Sequence, residues 1–271
     1  MACVKTTLAL AALAIGCLAS ADPLATSEDP RELLFRTMDK SRWINFEAVV
    51  LRKNSSTERS FMQVKIAQKG GSSKTTVLSP LPVQGVTTID DGRKWSTYIP
   101  DENRLLIQDS PKRHFRLRTE AAGHNYRFTS ENLGSVAGRK AVTVLAVPKS
   151  PEMPTRRYWI DSEYALMLRM ELIKEGGRRT VMMDTKAIEF RTVADDALTL
   201  NPSADVRRII LESPERFRTA EEAASQVGFK PSFPGPLPYG FIVAEPQIIG
   251  DKGERFVAIR LSDGLASATV Y

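Results

Sequence analysis

Residues 166–187 can fold back on themselves in a register that suits both faces of a sheet, and no other segment constrains the fold as tightly. Gly176-Gly177 offers a turn that tolerates positive φ. Counting outward from a two-residue turn pairs Glu175 with Arg178, Leu172 with Val181, Met170 with Met183 and Arg169 with Asp184. One face then carries Leu166, Leu168, Met170, Leu172, Val181, Met183 and Ala187, while the other sets opposite charges across from each other. Cross-strand pairing favours that arrangement. The apolar face contains methionine and is adaptable, as an acyl-accepting surface requires. A plain core is the simpler use for it.

The period of two recurs elsewhere. Ile44, Phe46, Ala48 and Val50 alternate with Asn45, Glu47, Val49 and Leu51, and Met62, Val64 and Ile66 alternate with Gln63, Lys65 and Ala67. Further strand-like runs at 85–89, 94–99, 105–108, 141–147 and 157–160 are separated by turn signals such as Asp90-Asp91-Gly92 and Asp161-Ser162. This spacing predicts an antiparallel meander, not a βαβ repeat. Residues 111–132 read as an irregular interruption. Ahead of the strands, Asp29 and Pro30 suit the N-cap and first position of a short helix that ends near Lys40, with Leu34 and Met38 on one face.

Residues 201–213 form a Pro-punctuated connection. Thr219 and Glu222 then make a capping box for a helix that stops at Gly228. After a Pro-rich stretch at 231–240, strand-like runs at 241–249 and 255–261 and a turn at Ser262-Asp263-Gly264 lead into a last run at 265–271. The expected organisation is α+β, with a large sheet domain over 22–213 and a small α+β domain over 214–271. Trp43, Trp95 and Trp159 are expected in the core.

The first twenty-one residues read as an address. Lys5 precedes an apolar run from Leu8 to Leu18, and Ala19-Ser20-Ala21 supplies a cleavage site before Asp22-Pro23. The run falls short of the roughly 20 residues a membrane-spanning helix needs. A second route is lipidation of Cys17, since Ala14-Ile15-Gly16-Cys17 resembles a lipobox with alanine in place of the usual leucine. Cleavage after Ala21 is the stronger of the two. Both cysteines, Cys3 and Cys17, lie in this segment, so an exported chain has no disulfide and depends on its core.

The formal charge of +6 is unevenly spread: from Glu215 onward there are six Lys/Arg and seven Asp/Glu. The basic excess therefore precedes Glu215, and it is densest in Lys112-Arg113-His114-Phe115-Arg116-Leu117-Arg118. Such a run suits phosphate, as in anionic lipid headgroups or lipopolysaccharide, or an acidic protein partner. It equally suits a solvated loop. Nucleic acid is not expected, because an exported chain without a stacking motif fits it poorly. No G-x-S-x-G, P-loop, G-x-G-x-x-G or H-E-x-x-H motif occurs, and His114 and His124 have no metal-site spacing. The expectation is a protein without enzymatic activity, cofactor or metal.

A resemblance joins these fragments. Val136-Ala137-Gly138-Arg139, Tyr158-Trp159-Ile160-Asp161, Leu166-Met167-Leu168-Arg169, the Gly176-Gly177 turn and Ile188-Glu189-Phe190 occur in the order found in the N-terminal domain of the RseB/MucB family. Leu237-Pro238-Tyr239-Gly240-Phe241 and Leu261-Ser262-Asp263-Gly264-Leu265-Ala266-Ser267 resemble stretches of that family's second domain. The resemblance implies a curved antiparallel half-barrel with helices on its concave side, like the carriers LolA and LolB, plus a small α+β domain. It implies a periplasmic regulator that binds the periplasmic part of a membrane anti-sigma factor and is released by lipid, lipopolysaccharide or an acylated ligand. Under that reading Leu168, Met170, Leu172, Val181 and Met183 meet acyl chains, and Lys112, Arg113, Arg116 and Arg118 meet their phosphates. The alternative is a lipoprotein carrier or lipid-transport protein.

Overall fold

Helix α1 (Pro30–Lys40) begins where its cap residues place it. The Asp29 carboxylate accepts from the Arg31 N–H at 2.8 Å, and Leu33, Leu34 and Thr37 turn inward. This computed structural model describes residues 28–53, 61–113, 118–228, 236–250 and 255–271. The expected export segment with Cys17, together with His114 and Arg116, lies outside them, as does the Arg113 side chain.

The strands that follow are β1 (Phe46–Lys53), β2 (Phe61–Lys69), β3 (Ser72–Ser79), β4 (Thr87–Asp90), β5 (Lys94–Ile99) and β6 (Arg104–Asp109). Helix α2 (Thr119–Asn125) separates these from β7 (Tyr126–Val136), β8 (Arg139–Pro148), β9 (Thr155–Asp161), β10 (Met167–Ile173), β11 (Arg179–Glu189) and β12 (Arg207–Ile210). Among the described residues they form one sheet in the order β12-β6-β5-β4-β3-β2-β1-β11-β10-β9-β8-β7. Laid flat, β1 and β7 would stand roughly 24 Å apart at normal strand spacing. Yet Val136 of β7 and Ala141 of β8 share a core cluster with Phe46, Ala48 and Val50 of β1. The sheet therefore rolls up, and it stays open between its edges β7 and β12. Helix α1 fills the inside, with Leu33 and Leu34 packed on Val142, Val144, Tyr158 and Ile160.

The hairpin of β10 and β11 keeps the expected Arg169/Asp184 and Met170/Met183 pairs, but the expected Leu172/Val181 pair is replaced. Leu172 faces Thr180 and Glu171 faces Val181. The turn holds three residues, closed by the Lys174 N–H on the Arg178 carbonyl at 2.9 Å, with Gly176 and Gly177 both at positive φ. A longer turn should slip the whole register. An extra residue, Met182, bulges out of β11 and cancels the slip beyond it. A second bulge at Lys186 returns Ala187 to the exposed side, so it does not join the apolar face.

Other expectations also need correction. Residues 126–132 belong to β7, paired along β8, and 119–125 are helical. Strand β3 carries mostly polar residues and forms because Gly70-Gly71, both at positive φ, fold it onto β2. Within the connection at 201–213, β12 lies parallel to β6, the one departure from a wholly antiparallel large sheet among the described residues. The next residues stay attached there: the Leu211 N–H donates to the Ile107 carbonyl at 2.8 Å and the Ser213 hydroxyl to Asp109 at 2.6 Å. Trp43 is 60% exposed, because its ring lies over Gly71, where a Cβ would come within 2.9 Å of it, and stacks with Arg42 instead of entering the core.

After this sheet come β13 (Glu215–Arg216), α3 (Ala220–Val227), β14 (Ile242–Ile249), β15 (Phe256–Ser262) and β16 (Ser267–Val270). The four strands make a small sheet in that order, and α3 covers one face through Ala220 and Ala223 on Ile248, Val257, Ile259 and Leu261. The Thr219 hydroxyl accepts from the Glu222 N–H at 3.1 Å, and Gly228 closes the helix in the left-handed region, as the capping signals require.

Candidate functional site

The small sheet sits against α1, α2 and the inside of the rolled sheet through a buried polar knot. The Tyr126 hydroxyl donates to the Asp263 carboxylate at 2.6 Å, and Asn125 Nδ2 donates to the Gly240 and Asp263 carbonyls, each at 2.9 Å. Asp263 is 1% exposed, and its other oxygen accepts from the Leu265 and Ala266 N–H groups at 2.8 and 2.6 Å. Burial first, and the Asp263 hydrogen bond second, push the Tyr126 phenol up to about 12. The Arg156 guanidinium is held above its ordinary value: desolvation opposes this, but Tyr158, Tyr126 and Asp263 all face it. Gly264 lets the turn approach α2, since a Cβ there would lie 2.2 Å from the Ala122 nitrogen. Leu265 then packs into the cluster around α1.

Behind the knot lies a cavity of about 620 Å³. Its floor is β1, β2 and β11, with Phe46, Ala48, Val50, Ile66, Met183 and Ile188 turned into it; Thr37 and Met38 of α1 form a wall. The roof comes from the small sheet, through Ala244, Glu245, Arg260, Ser262 and residues 264–267. Three cations line this space, Arg52, Arg118 and Arg260, along with the Glu245 carboxylate and polar residues such as Gln68, Thr185 and Ser262. Arg118 donates through Nη2 to the Ala244 carbonyl at 2.7 Å, joining the two sheets at the cavity wall. Arg52 and Arg260 are both exposed to solvent, and neighbouring protein still lowers the Arg52 guanidinium pKa by desolvation. Chemically, the space suits a flexible apolar chain with an acidic end. Among the described residues, no three His, Cys, Asp or Glu side chains converge as a metal site.

The residues singled out by sequence are dispersed. Met183 lines the cavity with Leu166, while Leu168 is fully buried in the neighbouring core. Met170 packs against the cluster around α1, and Leu172 and Val181 are half-buried further along the hairpin, outside the cavity lining. Of the basic run, Arg118 enters the cavity. Lys112 is held by the Gly71 carbonyl at 2.9 Å, the Ser73 hydroxyl at 3.3 Å and the Asp90 carboxylate at 3.5 Å. Arg52 and Arg260 escaped the sequence reading. A signal for Arg52 exists: it continues the inward series Phe46, Ala48, Val50 with a cation at the next same-face position.

The rolled, open sheet and the small sheet thus enclose one cavity between them. Residues 29–199 match the MucB/RseB N-terminal domain. This chain belongs to the MucB/RseB family. Among solved structures, the complex of Pseudomonas aeruginosa MucA and MucB is similar at 15% identity and a TM-score of 0.60, over 89% of this chain and 78% of that one. MucB in complex with MucA(peri) gives 16% identity and a TM-score of 0.58, over 88% and 77%. MucB alone gives 15% identity and a TM-score of 0.57, over 88% and 78%. A comparison with curated proteins gives no match.

Proposed function

We propose that this protein is an exported regulator that binds the periplasmic part of a membrane anti-sigma factor and senses an amphiphile in the cavity between its two sheets. Family membership over residues 29–199 carries the regulatory half of this reading, and MucB, the similar protein of known structure, is described in complex with MucA(peri). The cavity supports the sensing half: about 620 Å³, an apolar floor, and a roof contributed by the small sheet. A bound chain would touch both sheets at once, so its presence can change how the small sheet presents itself to a partner. The roof also favours a regulator over a simple carrier, which needs a cavity its cargo can leave.

The test is a pulldown from envelope membranes with the purified protein, paired with lipid extraction and mass spectrometry. Recovery of a single-span anti-sigma factor, displaced when lipid is added, is the expected result. Recovery of lipoproteins without an anti-sigma factor would refute the regulatory reading. Binding of the anti-sigma segment that no lipid or lipopolysaccharide alters would refute the sensing half.

A further inference from the structure

The cavity gathers cations from both sheets. Arg52 comes from β1, Arg118 from the segment before α2, and Arg260 from β15 of the small sheet, so the three approach one space from both sheets. Its one lining carboxylate is Glu245. Glu245 stands directly across from Arg260 in the β14/β15 register, yet it is ion-paired with Arg216. Arg52 and Arg260 are exposed at the cavity's solvent side and have no hydrogen-bond or ion-pair partner among the described residues. Arg118 uses Nη2 on the Ala244 carbonyl, and a guanidinium has five N–H donors, so most of its donors are left over. Water and salt screen the exposed pair Arg52 and Arg260, and a guanidinium with free donors matches the fork of a carboxylate or phosphate.

We infer that Arg52, Arg118 and Arg260 form a single anion subsite shared between the large and small sheets, which takes the carboxylate or phosphate head of a single-chain amphiphile. The inference rests on the cavity reading above and adds to it which part of the ligand joins the sheets. The chain lies on Phe46, Ala48, Val50 and Met183, and the head recruits Arg260 from the roof. Binding then depends on the small sheet as much as on the half-barrel.

Three probes of equal chain length test this by titration calorimetry on the full protein: dodecyl phosphate, dodecanoate and dodecanol. At least one anion should bind about tenfold or more tighter than dodecanol, the gain expected from a charge-assisted hydrogen bond. The stronger of the two tells a phosphate source from a fatty-acid source. Arg260→Gln and Arg52→Gln should each lose about tenfold for that anion and leave dodecanol unchanged. Arg208→Gln, on the exposed edge strand β12, should leave all three unchanged. Equal binding of all three probes overturns the anion subsite and leaves the cavity reading standing. Full affinity in Arg260→Gln, or an equal loss in Arg208→Gln, overturns the sharing between sheets. If no probe binds, the cavity reading falls as well.

Discussion

Replacing Tyr126 by Phe removes one oxygen from the join between the two sheets and should loosen it out of proportion to its size. The hydroxyl is 2.6 Å from an Asp263 oxygen, and Asp263 is 1% exposed, so water does not take its place. A hydrogen bond to a charged group is worth about 1.5–3 kcal/mol, and Asp263 keeps the Leu265 and Ala266 N–H donors on its other oxygen. The expected loss is therefore about 1.5–3 kcal/mol in urea unfolding. An alkaline arm gives a second measure. The folded phenol is raised from 10.0 to about 12, so its contribution is whole below pH 10 and disappears as pH climbs towards 12. At about 1.4 kcal/mol per tenfold change the alkaline loss is about 3 kcal/mol, most of it the cost of ionising a buried phenol and a smaller part the Asp263 bond. Wild type should lose this between pH 10 and 12, while Tyr126→Phe keeps only what Tyr158, also raised by burial, adds. An unfolding midpoint within about 0.5 kcal/mol of wild type, the ordinary range for inert surface changes, would refute the argument that this bond docks the small sheet.

The other predictions follow from equally local geometry. Gly264→Ala puts a Cβ 2.2 Å from the Ala122 nitrogen at a φ of +102°, and should lower stability by at least about 1–3 kcal/mol, read by thermal unfolding. Asp161 is 1% exposed and accepts from Arg139 Nε at 2.8 Å and from the Glu163 and Tyr164 N–H groups at 3.0 and 2.8 Å. Asp161→Asn should cost about 1.5–3 kcal/mol by the same measurement, since it removes a charge-assisted bond while Arg139 keeps Glu163. Deleting Met182 alone, or Gly177 alone, should misalign the hairpin, whereas deleting both should recover most of the lost stability. Circular dichroism melts of the three deletions decide whether bulge and turn compensate each other.

Much of the architecture could be read from local pattern. The α1 cap, the Met170/Met183 pair, the capping box at Thr219 and the Ser262-Asp263-Gly264 turn all depend on residues close in the chain. The features that were missed depend on distant neighbours. Strand β12 has no alternation, and it forms because β6 offers an unpaired edge. The register beyond Leu172 turned on one extra residue in a turn and one in a bulge, which periodicity averages away. The cavity was the least legible part. Its cations come from three segments brought together by the rolling of one sheet and the docking of another, and Arg118 alone was flagged, through the charge of its neighbours.

The pairing of β12 with β6 also sets the length of the leash on the small sheet. The Ser213 hydroxyl is fastened to Asp109 at 2.6 Å, and β13 begins at Glu215, so Pro214 alone separates the last tie on one sheet from the first strand of the other. Two residue steps reach about 7 Å at full stretch, and the proline ring holds φ of the joint near a single value. While that tie holds, the roof of the cavity can tilt about a stiff pivot but cannot drift away. Its opening is then an angle, and one probe distance across the Ser213–Glu215 corner is enough to follow it.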